Sequence, residues 1–316
     1  MDGLSSYSQS SQSFLLPMRS LKHPGHSGKS MTSVVPTRTR SVRFELQPGI
    51  SFIAALQQQF DALGARSGVA EISGGSFSHF AYVMPALSKS PDYAVYFSDR
   101  FAPAGIVELI GGCVTYGIKE GKQALHCHAR WEEANGKPGC GHLLPHECMI
   151  ESPITVKAWL IDDAEFSVLP DEETNFSLFQ PVASPDRVDS PVESHSGHLT
   201  LSATPESRSA YAIRIGANQD VCQTLERICR EHSIERAYLA AGVGSIIGAR
   251  FVDGSIVEPH VTELYLEQGN VSKTDGRHAV SIDVTMIDYK GGISSGRLLP
   301  GDNPVLVTME LLLVLE

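Results

Sequence analysis

No apolar stretch in these 316 residues approaches the roughly 18 positions that a membrane-crossing helix needs. The start of the chain offers no secretory h-region either, because Phe14-Leu15-Leu16 is too short. A disulfide scaffold is excluded as well. The six cysteines (Cys113, Cys127, Cys140, Cys148, Cys222 and Cys229) fall in no framework spacing and read as reduced thiols of a cytoplasmic protein. Positive charge is also scarce: 25 Lys and Arg stand against 36 Asp and Glu, a net of −11. Residues 1–43 hold six of those cations (Arg19, Lys22, Lys29, Arg38, Arg40, Arg43) against Asp2, a net of +5 that leaves −16 for the rest. A body this acidic repels phosphate backbones, which disfavours nucleic acid as a partner. Phosphate-loop and dinucleotide fingerprints are missing too, since "SGGSFSH" and "AGVGSIIG" read only as tight turns after strands.

What the chain does contain is organised in two related pieces. Residues 1–40 are rich in Ser, Gln, Pro and Gly and are expected to be a disordered basic tail. A Pro/Ser-rich stretch at 183–209 reads as a linker between a domain at 41–182 and another at 210–316. "PGISFIAALQQQF" sets Phe52, Leu56 and Phe60 at helical spacing, and "NQDVCQTLERICREH" repeats this with Val221, Leu225 and Cys229, 169 positions later. "GHLLP" at 141–145 recurs as "GRLLP" at 296–300, only 155 later, so the first copy carries about 14 extra residues, placed around "MPALSKSPDYAVYFSD". The remaining segments are short β-rich runs such as "ITVKAWLI" and "PVLVTMELLLVL". One helix and many strands per copy indicate an α+β fold, each copy a mostly antiparallel sheet packed on one main helix.

The chemistry concentrates in "LHCHARWEEANGKPGCGHLLP" (125–145). Along a strand, alternate residues share a face, so His126 and His128 point together. A hairpin turning at Ala134-Asn135-Gly136, with the glycine left-handed, sets His128 opposite His142. Three imidazoles then share one patch, a ligand set for zinc or another divalent transition metal with a position left open. The plain alternative is three half-exposed strand histidines with no metal. Gly139 and Gly141 are expected to leave room for a ligand. Glu132, Glu147 and Tyr116 lie near the histidines in sequence and are candidates for acid–base work. In the second copy the three positions become Ser281, Asp283 and Arg297, a poor metal set. There Asp283 and Arg297 are expected to form a cross-strand ion pair, with capture of a carboxylate by Arg297 as the alternative.

At "HCHARW…NGKPGCGHLLP" the chain resembles the plants-and-prokaryotes conserved (PPC, or PCC) domain, whose pattern is His-x-His, a glycine-containing turn and Gly-Gly-His-Leu. Cys140-Gly141-His142-Leu143 departs from that pattern at one position. "GVGSIIGARFVDG" and "SGRLLPGDNPVLVTMELLLVL" look like a second, diverged copy. The resemblance implies an antiparallel sheet with one principal helix, assembly as a homo-oligomer (a trimer favoured), and a metal, usually zinc, on His126, His128 and His142. Plant members join the domain to an AT-hook with an Arg-Gly-Arg-Pro core, which is absent here. Two functions follow as expectations. One is a metal-dependent enzyme or small-molecule binder, with enzymatic activity itself left open. The other is a DNA-binding regulatory protein whose metal is structural.

Overall fold

A computed structural model describes residues 19–26, 32–184 and 206–316. The cores of the expected tail and linker therefore lie outside the described residues. Six principal strands come from the first half: β1 (Ser33–Leu46), β2 (Gly68–Ser73), β3 (Val107–Lys119), β4 (Lys122–Glu132), β5 (Pro138–Leu143) and β6 (Ile154–Ile161). Six come from the second: β7 (Ser207–Gly216), β8 (Arg236–Ile246), β9 (Thr262–Thr274), β10 (Arg277–Asp288), β11 (Ile293–Arg297) and β12 (Val305–Leu315). Among the described residues there are two helices, α1 (Phe52–Ala62) and α2 (Val221–Glu231), whose bounds differ by 169.

Each helix is an apolar face closed by a local stop. Phe52, Leu56 and Phe60 recur every fourth residue on α1 and are all buried, and the helix ends just before Gly64, which adopts φ 65°. In α2 the Asp220 carboxylate caps the first turn by accepting from the Gln223 amide, and Val221, Leu225, Ile228 and Cys229 are buried.

The strands pair antiparallel in the order β5-β4-β3-β2-β6-β1-β7-β12-β8-β9-β10-β11. Reading outward from the β1–β7 junction, equivalent strands follow in the same sequence on both sides. The mostly antiparallel sheet with a helix per half agrees with the expected fold class. The sheet folds back so that β3 and β4 face β9 and β12; the Cys113 thiol donates to the Leu266 carbonyl across this contact at 3.2 Å.

Two expected boundaries are corrected. Residues 33–40 are the first part of β1, not tail: Val34, Val35, Thr37 and Thr39 are β-branched, and Thr37 and Thr39 are buried. Their short polar side chains hid the strand among Ser and Pro. Residues 19–26 are also held, with the Arg19 guanidinium on Asp302 at 3.2 Å and the His23 Nε2 on the Leu306 carbonyl at 2.7 Å. The linker, in turn, does not separate independent cores. β1 pairs with β6 on one edge and β7 on the other, and one apolar cluster joins Val69, Cys113 and Trp159 to Ile213, Val243 and Leu313.

Candidate metal centre

The hairpin forms as its residues dictate. Gly136 adopts φ 81° in the turn, and β4 and β5 pair with His128 directly opposite His142. The rings of His126 and His128 stand 4.6 Å apart and those of His128 and His142 5.3 Å apart. One nitrogen from each of the three lies within 4.8 Å of the others.

The second half supplies what orients them. The His126 Nδ1–H donates to the Glu310 carboxylate at 3.0 Å, and the His128 Nδ1–H donates to the Leu264 carbonyl at 2.8 Å. Glu310 lies on β12 and Leu264 on β9, so the centre is built across the fold-back rather than within one copy. With both Nδ1 atoms committed, the two Nε2 lone pairs face each other at 3.0 Å. That is repulsive unless a metal ion, or a proton on His126, lies between them. A tetrahedral metal with N bonds of 2.0–2.1 Å holds its nitrogens about 3.4 Å apart. His142 Nδ1 is buried without a hydrogen-bond partner, which leaves that ring free to turn a nitrogen inward. The donor set therefore fits a divalent metal that accepts imidazole.

The local electrostatics favour neutral ligands on two of the three rings. Burial, then the neighbouring His126 charge, pushes His142 down to about 3. Burial and the adjacent imidazoles push His128 well below the ordinary histidine value. For His126 burial opposes protonation, but Glu310 outweighs it and the pKa rises. Glu263, which the sequence reading missed, sits 3.9 Å from His128 Nε2; burial pushes its carboxyl up to about 8, with His126 pulling the other way. Its Oε2 is buried without a partner.

The acid–base candidates chosen by sequence proximity do not reach the centre. Glu147 is at the surface, taking a hydrogen bond from Arg100 Nε at 2.7 Å, and Glu132 is exposed. Tyr116 is packed on Phe60 in the other core, ring centroids 4.2 Å apart. Gly139 and Gly141 also serve that face: a Cβ at 139 would lie 2.3 Å from the Trp131 indole nitrogen, and one at 141 would lie 2.7 Å from the Val83 carbonyl. They make room for core packing, because odd and even positions of β5 point to opposite faces. In the second copy Arg297 grips Asp283 through two hydrogen bonds of 2.9 and 2.8 Å, as a plain cross-strand pair, and Ser281 pairs with Asn270 in the neighbouring strand. A signal for the missed carboxylates did exist. Glu310 interrupts "PVLVTMELLLVL" and Glu263 interrupts "VTELYL", and a charge inside an apolar strand is rarely buried without a partner.

Residues 202–315 match the model of the Plants and Prokaryotes Conserved (PCC) domain. The likeness is to that part of the chain, 114 of its 316 residues. The match falls on the second half, the copy in which the three histidines are replaced. The bifunctional protein GlmU of Synechococcus sp. is 25% identical over 166 residues, 52% of this chain, which thus spans about a quarter (26%) of that curated relative's length. Among solved structures, a metal-containing protein from Archaeoglobus fulgidus shares 13% identity over 45% of this chain and 93% of its own, with a TM-score of 0.38. A plant- and prokaryote-conserved protein from Pyrococcus horikoshii shares 14% over 49% and 97%, with a TM-score of 0.37. No helix among the described residues is long and apolar enough to cross a membrane.

Proposed function

We propose that the chain is a tandem PCC protein holding one divalent transition metal, zinc foremost, on His126, His128 and His142, and acting as a metal-dependent enzyme or small-molecule binder. The observation that carries this reading is the pair of hydrogen bonds from His126 and His128 to Glu310 and Leu264. Such bonds from the outer nitrogen fix the tautomer and aim of a ligating imidazole, and bare strand histidines have no need of them. The first copy then supplies the ligands and the second holds them.

A three-histidine metal with an open position supplies a Lewis acid that polarises a carbonyl or acidifies a water. The chain's own contribution on that side is Glu263, which lines the adjacent cavity within reach of a proton on a bound group. Purified protein is expected to carry about one zinc per chain by elemental analysis. A metal-free preparation that also fails to take up added zinc at neutral pH removes the reading. Glu310→Gln keeps the volume and weakens the acceptor; it is expected to reduce zinc affinity about 10–100-fold with an unchanged circular dichroism spectrum. An unaltered affinity would mean that Glu310 does not tune the centre.

The DNA-binding reading relied on the basic segment at the start of the chain. Three of its six cations are engaged by the acidic body: Arg19 by Asp302, Arg38 by Asp163 and Arg40 by Asp162, at 3.2, 2.8 and 3.2 Å. These pairs count against a free basic arm.

A further inference from the structure

The segment that distinguishes the first copy from the second lies over the centre. Between Ser76 and Val107 the first copy runs 14 residues longer than the second does between Ser245 and Thr262, and this excess includes the hairpin of Pro85–Leu87 and Val95–Phe97. Its second strand brings Tyr96 and Phe97 to the wall of a cavity of about 70 Å³ that also opens on His126, His128 and Glu263. Phe176, from the turn after Pro170, completes that wall. Phe97 stands edge-on to His142 with ring centroids 5.1 Å apart, and Tyr96 stacks on Phe176 at 5.9 Å. Tyr96 and Phe97 remain 46% and 37% exposed, so part of each ring faces the mouth.

Size and charge narrow what fits. A cavity that holds a whole benzene measures about 150 Å³, so this interior admits a small donor group and the first part of a ring, with the rest against the exposed aromatic edges. Among the described residues that line the cavity none is a lysine or arginine, while Glu263 lines it and Glu310 stands directly behind His126. A phosphate ester would bring a second negative charge to a lining with no side-chain cation and the Glu310 carboxylate behind it, whereas a single carboxylate can be balanced by the metal alone.

We infer that the centre takes a small planar ring compound bearing one carboxylate or similar monoanionic oxygen donor, the donor on the metal side and the ring against Tyr96, Phe97 and Phe176. This rests on the metal reading above. The test uses full-length protein loaded with cobalt(II), whose visible absorption reports first that the metal is held and then that a ligand has reached it. Benzoate is expected to perturb that spectrum with a dissociation constant about tenfold or more below that of acetate, and phenyl phosphate is expected to leave it unchanged. Phe97→Ala and Tyr96→Ala, both at half-exposed positions, are expected to bring benzoate down towards acetate while the ligand-free spectrum stays as it was. Acetate binding as tightly as benzoate, or phenyl phosphate binding more tightly, overturns the ligand class and leaves the metal centre standing. Absence of any cobalt band removes the centre and the ligand together.

Discussion

Alanine at position 128 should abolish the proposed metal binding. His128 is buried to 2% exposure, lies opposite His142 in the hairpin register and faces His126 at 3.0 Å, so it stands against both other rings, whose own centroids are 5.0 Å apart. A structural zinc site is worth about 10–16 kcal/mol, which assigns each ligand about 3–4 kcal/mol, or several hundredfold in affinity. Competition with a chromophoric chelator would read that loss, and circular dichroism would check that the variant folds. Wild-type affinity in a folded His128→Ala protein would mean that the three rings do not share an ion. The pH profile of the wild type supplies a second check. Metal and proton compete for the same nitrogens, so affinity must fall as the pH drops through the pKa of the most basic ligand. That ligand is His126, which Glu310 holds above the ordinary value of about 6.5. His142, held near 3, does not compete until strongly acid conditions. Zinc binding should therefore start to weaken above about pH 6.5, and Glu310→Gln should move that onset to lower pH.

Much of this centre was legible because it depends on short-range rules. The alternation of a strand put His126 and His128 together, and a left-handed glycine in the turn set the register that brings His142 opposite. The matching order of helix and strands in the two halves was legible for the same reason, since such patterns survive a constant shift in position. The change in that shift even located the inserted hairpin at Pro85–Phe97. What did not show was everything decided by the fold-back of the sheet. Glu263, Leu264 and Glu310 reach the histidines from 135 to 184 positions away, a distance over which no periodicity in the chain carries information. Proximity in sequence pointed instead to Glu132, Glu147 and Tyr116, which the pleat and the turn carry elsewhere. The glycines misled in the same manner: Gly139 and Gly141 do make room, but on the face occupied by Trp131 and Val83.

Removing the charge of Arg214 should cost more stability than any surface change in the molecule. Arg214 lies on β7 directly opposite Glu310 of β12, and its guanidinium is bound to the Asp171 carboxylate at 2.8 Å with both side chains almost fully buried. Its Nε also donates to the Thr308 hydroxyl at 3.2 Å. Asp171 in turn accepts from the Thr174 amide and hydroxyl at 2.9 and 2.8 Å, so the turn leading to Phe176 and Leu178 on the cavity wall is built around it. Loss of one member of a buried pair costs about 3–5 kcal/mol, chiefly because the remaining charge stays desolvated. Arg214→Ala should lower unfolding free energy by that amount in urea at neutral pH, and a change under about 1 kcal/mol would show that the pair carries little. Acid provides the sharper discrimination. Burial pushes the Asp171 pKa up, but Arg214 and the Thr174 hydrogen bonds outweigh it and hold the carboxyl below its usual value. In the wild type its contribution is therefore present above the unfolded pKa of about 3.9 and is lost as the pH falls through the folded one. Without Arg214 the burial penalty weighs more heavily, and protonation of Asp171 relieves it. The gap between variant and wild type should then narrow on acidification, where a simple loss of packing would leave it constant.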